Sequence, residues 1–243
     1  MTTHRIAAAI AAAGLLAGAL SGCSGATKND DTAAPPMGAQ GLQDKLMKDF
    51  AGTVMPPKSV VCKEALESQV GKSATCDVTL ADGTGVEAVT TVKHIDGKNV
   101  VYEISPALTK DQVAKVVANG SPAMAVSCES GLPGTIGATA TCTATVEGVV
   151  TKRVVEVDDV NGLQLDTTVR RLWPKEQVQD VLLQKLNAAG QPVETVACTD
   201  DVVGKPGSTV ECAAVTGSQK RGYVVTLTTI EEDKFDLDYK DAP

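Results

Sequence analysis

Aromatic side chains make up only 2% of this 243-residue sequence, with one Trp, three Tyr and two Phe. So small a set provides no stacking platform for bases or sugars. Histidine is scarce as well. Of two residues, only His94 lies beyond the first few positions. Hydrolase readings therefore lack a nucleophile paired with a base. Positive charge is in deficit, 22 Lys and Arg against 30 Asp and Glu, a net charge of −8. A chain of this sign does not seek nucleic acid or anionic headgroups through general electrostatics. No C-x-x-C, H-E-x-x-H, G-x-S-x-G, Walker-type or G-x-G-x-x-G phosphate loop occurs in a fitting context, so no cofactor or metal is expected. Long apolar runs are missing too. The longest, Ile6 to Leu20, is shorter than the roughly 18 to 20 residues that span a bilayer as a helix.

That run follows Arg5 and precedes Leu20-Ser21-Gly22-Cys23. A short basic region, an apolar stretch and small residues before a cysteine make a secretory signal peptide over residues 1–22. The final four residues resemble the bacterial lipobox, so Cys23 is the expected lipidation site, carrying a diacylglycerol and fatty-acyl (palmitate) chains. Cleavage there removes Arg5 and takes the net charge from −8 to −9. The expected location is the extracytoplasmic face of the cell membrane, held by the lipid. Residues 23–40 are small, polar and Pro-containing and read as the lipidated cysteine with a flexible tether.

The other six cysteines repeat. Val60-x-Cys62, Val126-x-Cys128 and Val196-x-Cys198 are each followed by a glycine at the ninth position (Gly71, Gly137, Gly207) and a second cysteine at the fourteenth (Cys76, Cys142, Cys212). One small unit is used three times, over 41–106, 107–172 and 173–243, with Pro106 and Trp173-Pro174 at the joints. Little linker separates the units, which predicts a semi-rigid rod. Six cysteines allow fifteen pairings. Repetition of one self-contained unit favours Cys62–Cys76, Cys128–Cys142 and Cys198–Cys212. A core rich in Val and Ala in about 65 residues is thin, and closing a 15-residue loop stabilises by about 3 kcal/mol in the chain-entropy model. Zinc and redox roles lack C-x-x-C spacing and nearby histidine.

Each unit opens with apolar residues at helical spacing: Leu42, Leu46 and Phe50; Val113, Val116 and Val117; Val178, Val181, Leu182 and Leu186. Thr109 with Gln112 suggests a capping box, Pro174 a first helical residue, and Gly52, Gly120 and Gly190 the helix stops. A buried-type residue four positions after the first cysteine (Leu66, Leu132, Val202) predicts a helical turn or two. Turn signals stand at Asp82-Gly83, Glu147-Gly148 and Thr216-Gly217. The next strands carry Thr90, Val92 and Ile95; Val155, Val157 and Val160; Val225, Leu227 and Ile230. Their spacing of two and then three predicts a β-bulge in each. The turns Asp96-Gly97 and Asn161-Gly162 lead to last strands with inward candidates Val100, Tyr102 and Ile104; Leu163, Leu165 and Val169; Phe235, Leu237 and Tyr239. The expected fold class is α+β, three tandem small modules, each an N-terminal helix packed on a mostly antiparallel sheet and stapled by one disulfide.

Val-x-Cys, the Leu or Val four residues on, a Val-Gly or Ile-Gly before the second strand, the second Cys, a Gly-containing turn and a Val-rich strand resemble the domain-of-unknown-function 4333 family. That family occurs in actinobacterial membrane-anchored and secreted proteins. The resemblance covers roughly residues 41–243 as three copies. Lys63, Glu129 and Thr199 stand where the family has Pro after the first Cys, and Gly204, Lys205 and Pro206 suggest a shifted loop in the third copy. The resemblance implies location and disulfides, and no activity.

His94 reads as a solvated strand position, matched by Asp159 and Thr229 in the other units. Glu231, Glu232, Asp233, Asp236, Asp238 and Asp241 read as the wet face of a strand, without the Asp-x-Asp-x-Asp-Gly loop that calcium favours. The expectation is a non-enzymatic binding or interaction module, with an unidentified envelope protein or ligand as partner. The alternative is an enzyme or enzyme modulator with a site at a module junction.

Overall fold

A computed structural model describes residues 34–119, 124–231 and 234–243. The signal segment, Cys23, the tether up to residue 33, Gly120, Glu232 and Asp233 lie outside the described residues. The first repeat contains α1 (Ala39–Asp49), β1 (Pro57–Cys62), β2 (Ser73–Leu80), β3 (Gly85–Asp96) and β4 (Asn99–Leu108). The second contains α2 (Lys110–Ala118), β5 (Met124–Cys128), β6 (Leu132–Pro133), β7 (Thr139–Val146), β8 (Val149–Asn161) and β9 (Gln164–Trp173). The third contains α3 (Lys175–Ala188), β10 (Thr195–Cys198), β11 (Val202–Val203), β12 (Thr209–Thr216), β13 (Gln219–Ile230) and β14 (Phe235–Asp241).

The α+β expectation is corrected by this inventory. Among the described residues there are 14 strands and three helices, and the chain is mostly β. Three antiparallel sheets run β1-β2-β3-β4-β6, β5-β7-β8-β9-β11 and β10-β12-β13-β14. The helices are single short segments of 11, 9 and 14 residues. The segment after the first cysteine, expected to be helical, adds a two-residue strand instead. Its buried residue does not close a turn within its own repeat. Leu132 lies opposite Leu108, and Val202 lies opposite Trp173, so each short strand extends the sheet of the preceding repeat. In the first repeat the same position, Leu66, bridges to Met37 through paired backbone hydrogen bonds of 3.0 and 2.9 Å.

Backbone alternation explains the sheets. In β3 every second residue from Val86 to Val92 is buried, and Thr90 sits fully buried among valines. A register shift then falls between Val92 and His94, between Val157 and Asp159, and between Leu227 and Thr229. The extra residue returns Ile95, Val160 and Ile230 to the apolar side, where each packs against the core. Gly71, Gly137 and Gly207 have φ of 85°, 82° and 89°. Their amides donate to the carbonyls of Val92, Val157 and Leu227, each at 2.8 Å. Only glycine reaches that conformation without strain, which accounts for the threefold glycine. The third copy keeps this contact, so its loop is not shifted.

Leu42 and Leu46 on α1, Val113 and Val117 on α2, and Val178, Leu182 and Leu186 on α3 are buried. Burying one such side chain stabilises by roughly 1.5 to 3 kcal/mol. Thr109 and Gln112 form a reciprocal capping box at 3.2 and 2.7 Å. Pro174 is the N-cap of α3 rather than its first residue, and Asn119, in the left-handed region at φ 41°, caps the end of α2. Two inward candidates are corrected. Val169 is 38% exposed, and Leu163 belongs to the β8–β9 turn rather than to a strand, although it is fully buried.

Candidate functional site

The six repeat cysteines form Cys62–Cys76, Cys128–Cys142 and Cys198–Cys212. Each pair stands directly opposite across two antiparallel strands, so the bridge stands on the buried face of the sheet. The bridges are buried and cross-link the edge strand to its neighbour. They are structural staples with no exposed sulfur for chemistry.

His94 is exposed on β3, one residue past the bulge, and faces Val101 across the ladder. At the C-terminal end, Lys185 lies 2.7 Å from Asp236 and Arg221 lies 2.6 Å from Asp241. The Lys185 ammonium and the Leu237 amide hold the Asp236 carboxyl below the usual carboxylate range. Part of the acidic face is thus neutralised by the chain itself. Among the described residues no group of three or more His, Cys, Asp and Glu is placed to hold a metal ion.

The arrangement that draws charged groups together lies where the second repeat meets the third. There a cleft of about 520 Å³ opens between the start of β8 and the N-terminus of α3. Lys152, Arg171, Lys175, Glu176 and Asp201 line it. Pro174 has no side-chain oxygen to cap α3, and Asp201 substitutes for one, accepting from the Lys175 amide at 3.1 Å. The other oxygen of Asp201 accepts from Lys152 Nζ at 2.9 Å. Lys152 first, and the Lys175 amide second, hold the Asp201 carboxyl below its ordinary value against the opposing effect of burial. The same pairing raises Lys152 above the usual lysine value. Both groups stay charged near neutral pH, which suits a latch between repeats and not a proton carrier. Arg171 stacks over the Trp173 ring with its guanidinium carbon 4.0 Å from the centroid.

Sequence reasoning missed this cleft. The signal was a departure from the repeat. Asp201, three residues after Cys198, takes the place of Gly131 in the second repeat, and Val150 takes the place of Gly85 in the first. At the first joint Gly131 is needed, and Gly85 sits in close quarters. A Cβ on Gly131 would come within 2.5 Å of the Leu108 carbonyl oxygen, and one on Gly85 within 3.0 Å of Gln112 Nε2. The first joint is closed tightly, and the second holds a charged cleft.

A family model described as a domain of unknown function (DUF4333) matches residues 98–162. The matched stretch begins in the β3–β4 turn and ends in the β8–β9 turn, so it holds α2, the Cys128–Cys142 bridge and the β4–β6 pairing. No curated protein and no solved structure matches the chain.

Proposed function

We propose that the chain is an extracytoplasmic lipoprotein of the cell envelope, anchored through Cys23, built from three copies of that domain, and acting by binding an envelope protein or ligand rather than by catalysis. The three buried disulfides carry this reading. Such bridges persist in oxidising compartments and are rare in the cytosol. The run Leu20-Ser21-Gly22-Cys23 supplies the anchor. The binding role rests on the threefold unit, since tandem repeats build extended binding surfaces.

The test is Cys23→Ala in the native host, read by metabolic labelling with a tagged fatty acid. The variant is expected to lose all label and to accumulate as the uncleaved precursor. Label retained on the variant would place the anchor elsewhere. Crosslinking on intact cells with the lipidated chain then identifies the partner. Turnover of a substrate by the purified chain would move the reading to an enzyme.

A further inference from the structure

Immediately before the N-caps of the three helices stand Met37, Leu108 and Trp173. Leu108 pairs with Leu132 and Trp173 with Val202, each four residues after the first cysteine of its repeat. Met37 pairs with Leu66 in the same way. Its amide donates to the Leu66 carbonyl at 3.0 Å, and its carbonyl accepts from the Leu66 amide at 2.9 Å. Two residues earlier the match continues. The carbonyls of Pro106 and Arg171 accept from the amides of Gly134 and Gly204. Pro35 holds that position before the first helix, and its carbonyl accepts from the Ser68 hydroxyl at 2.7 Å.

Residues 34–37 thus copy the end of a preceding repeat's last strand, although they come before the first repeat. Ala34 is 4% exposed, so the contact reaches beyond the hydrogen bonds. Pro35 and Pro36 have no amide proton to leave unpaired, and consecutive prolines make a stiff spacer. The attachment is lighter than at the two joints. β4 and β9 are each held along their other edge by a full strand, β3 and β8, whereas Met37–Leu66 is an isolated pair. At Pro35 a side-chain hydroxyl also takes the place of a backbone amide. A Cβ on Gly134 would come within 2.3 Å of the matching Pro106 oxygen, so Ser68, which has a Cβ, holds its partner farther out.

We propose that residues 34–37 are a strap that seats the first repeat beside the membrane, with the Leu66–Ser68 edge nearest the lipid surface. The inference rests on the anchor at Cys23 proposed above. The chain enters the fold at Ala34, beside Ser68, so the tie to the lipid acts on that edge. Closed, the strap leaves residues 24–33 between the lipidated cysteine and the folded body. Release frees residues 34–38 as well and adds roughly 17 Å of extended chain to the reach. The strap thereby sets a near and a far distance from the bilayer for whatever the repeats bind.

The experiment uses the full lipidated chain, purified in detergent for hydrogen exchange and on intact cells for distance. Closure is read at the Leu66 amide. Met37→Pro, which removes the paired amide, should speed its exchange about tenfold, and Ser68→Ala about fivefold, with the amides of β7 and β12 unchanged. Seating is read by energy transfer from a fluorescent residue to a dye on the membrane lipids. Transfer from that residue in place of Gln69 should exceed transfer from the matching position Lys205 in the third repeat, and Met37→Pro should lower the Gln69 value. A tagged fatty acid on Cys23 is checked in every sample, so a chain without it fails the anchor reading and not the strap. Leu66 exchange that ignores Met37→Pro would overturn the proposal. So would Gln69 transfer, in the labelled chain, that is no higher than that of Lys205 or that Met37→Pro leaves unchanged.

Discussion

At the joint between the first and second repeats, Leu80, Val86 and Leu163 are buried in one shared core, and the β8–β9 turn lies against Phe50 and Thr53. At the joint between the second and third, the third repeat keeps a core of its own, built around Trp173, Leu182 and Leu227. Polar side chains bridge that joint instead. The same two-residue backbone pairing runs beneath both. Backbone pairing sets which repeat follows which, and side chains decide whether neighbours fold as one unit or two. Among tandem repeats, stability divides into terms within a repeat and terms between neighbours. Here the between-neighbour term is apolar at one joint and electrostatic at the other.

The largest effect that separates the joints is expected from Leu163→Ala. Truncating a buried leucine costs about 2 to 5 kcal/mol, and this one stands where the first two repeats share their core. Urea unfolding followed by far-UV circular dichroism should show an early transition from the first two repeats. Trp173, the sole tryptophan and part of the third core, should report an unmoved midpoint. A Trp173 midpoint that shifts together with the dichroism would break the comparison, because the chain would then unfold as one unit.

A smaller effect should distinguish the two glycines six residues after the first cysteine. The Gly134 amide donates to the Pro106 carbonyl and the Gly204 amide to the Arg171 carbonyl, both at 2.8 Å. An added Cβ would come within 2.3 Å of the Pro106 oxygen at the first joint and 2.9 Å of the Arg171 oxygen at the second. Gly134→Ala should therefore cost about 1 to 3 kcal/mol, and Gly204→Ala clearly less. Equal shifts in thermal midpoint would show that the two joints are equally tight.

The smallest effect concerns the latch. Asp201 is held below its ordinary value when folded, so its contribution is fully present above the unfolded carboxylate range and is lost as pH falls through the lower folded value. Lys152 is raised, so its share is present at neutral pH and is lost only as pH rises beyond the ordinary lysine range. Asp201→Asn should shift the Trp173 unfolding midpoint by less than about 1 kcal/mol at neutral pH. The difference from wild type should vanish in strong acid and shrink in high salt. A difference that persists in acid would mean that the charge on Asp201 is not what holds the joint.

Much of the repeat was legible in local pattern. The spacing of Thr90, Val92 and Ile95 announced a bulge because side chains alternate with period two, and one extra residue is the only way to keep all three on one face. The Thr109–Gln112 box and the invariant positions of Gly71, Gly137 and Gly207 are likewise local matters of backbone geometry. The short strand at Leu132 was not legible. A single buried residue between turns fits a helical turn as well as an edge pair, and its hydrogen-bond partner belongs to another repeat. Leu163 was read as an inward strand residue because its apolarity is visible in the sequence. The core it joins is shared with the first repeat, and the neighbouring Gly162 of its turn lies against Phe50 and Thr53, more than a hundred positions away.

By itself, the sequence determined the threefold unit, the cysteines that pair, the bulges and the turn glycines, since each depends on residues close in the chain or on a repeated spacing. Only the tertiary structure decided that the fold is mostly β, that the second and third repeats each lend two residues to the preceding repeat's sheet, and that one joint is greased with leucine and valine while the other is latched by Lys152 and Asp201. Those outcomes rest on which backbone edge and which side chains meet across a joint, and that meeting is between residues that no local pattern brings together.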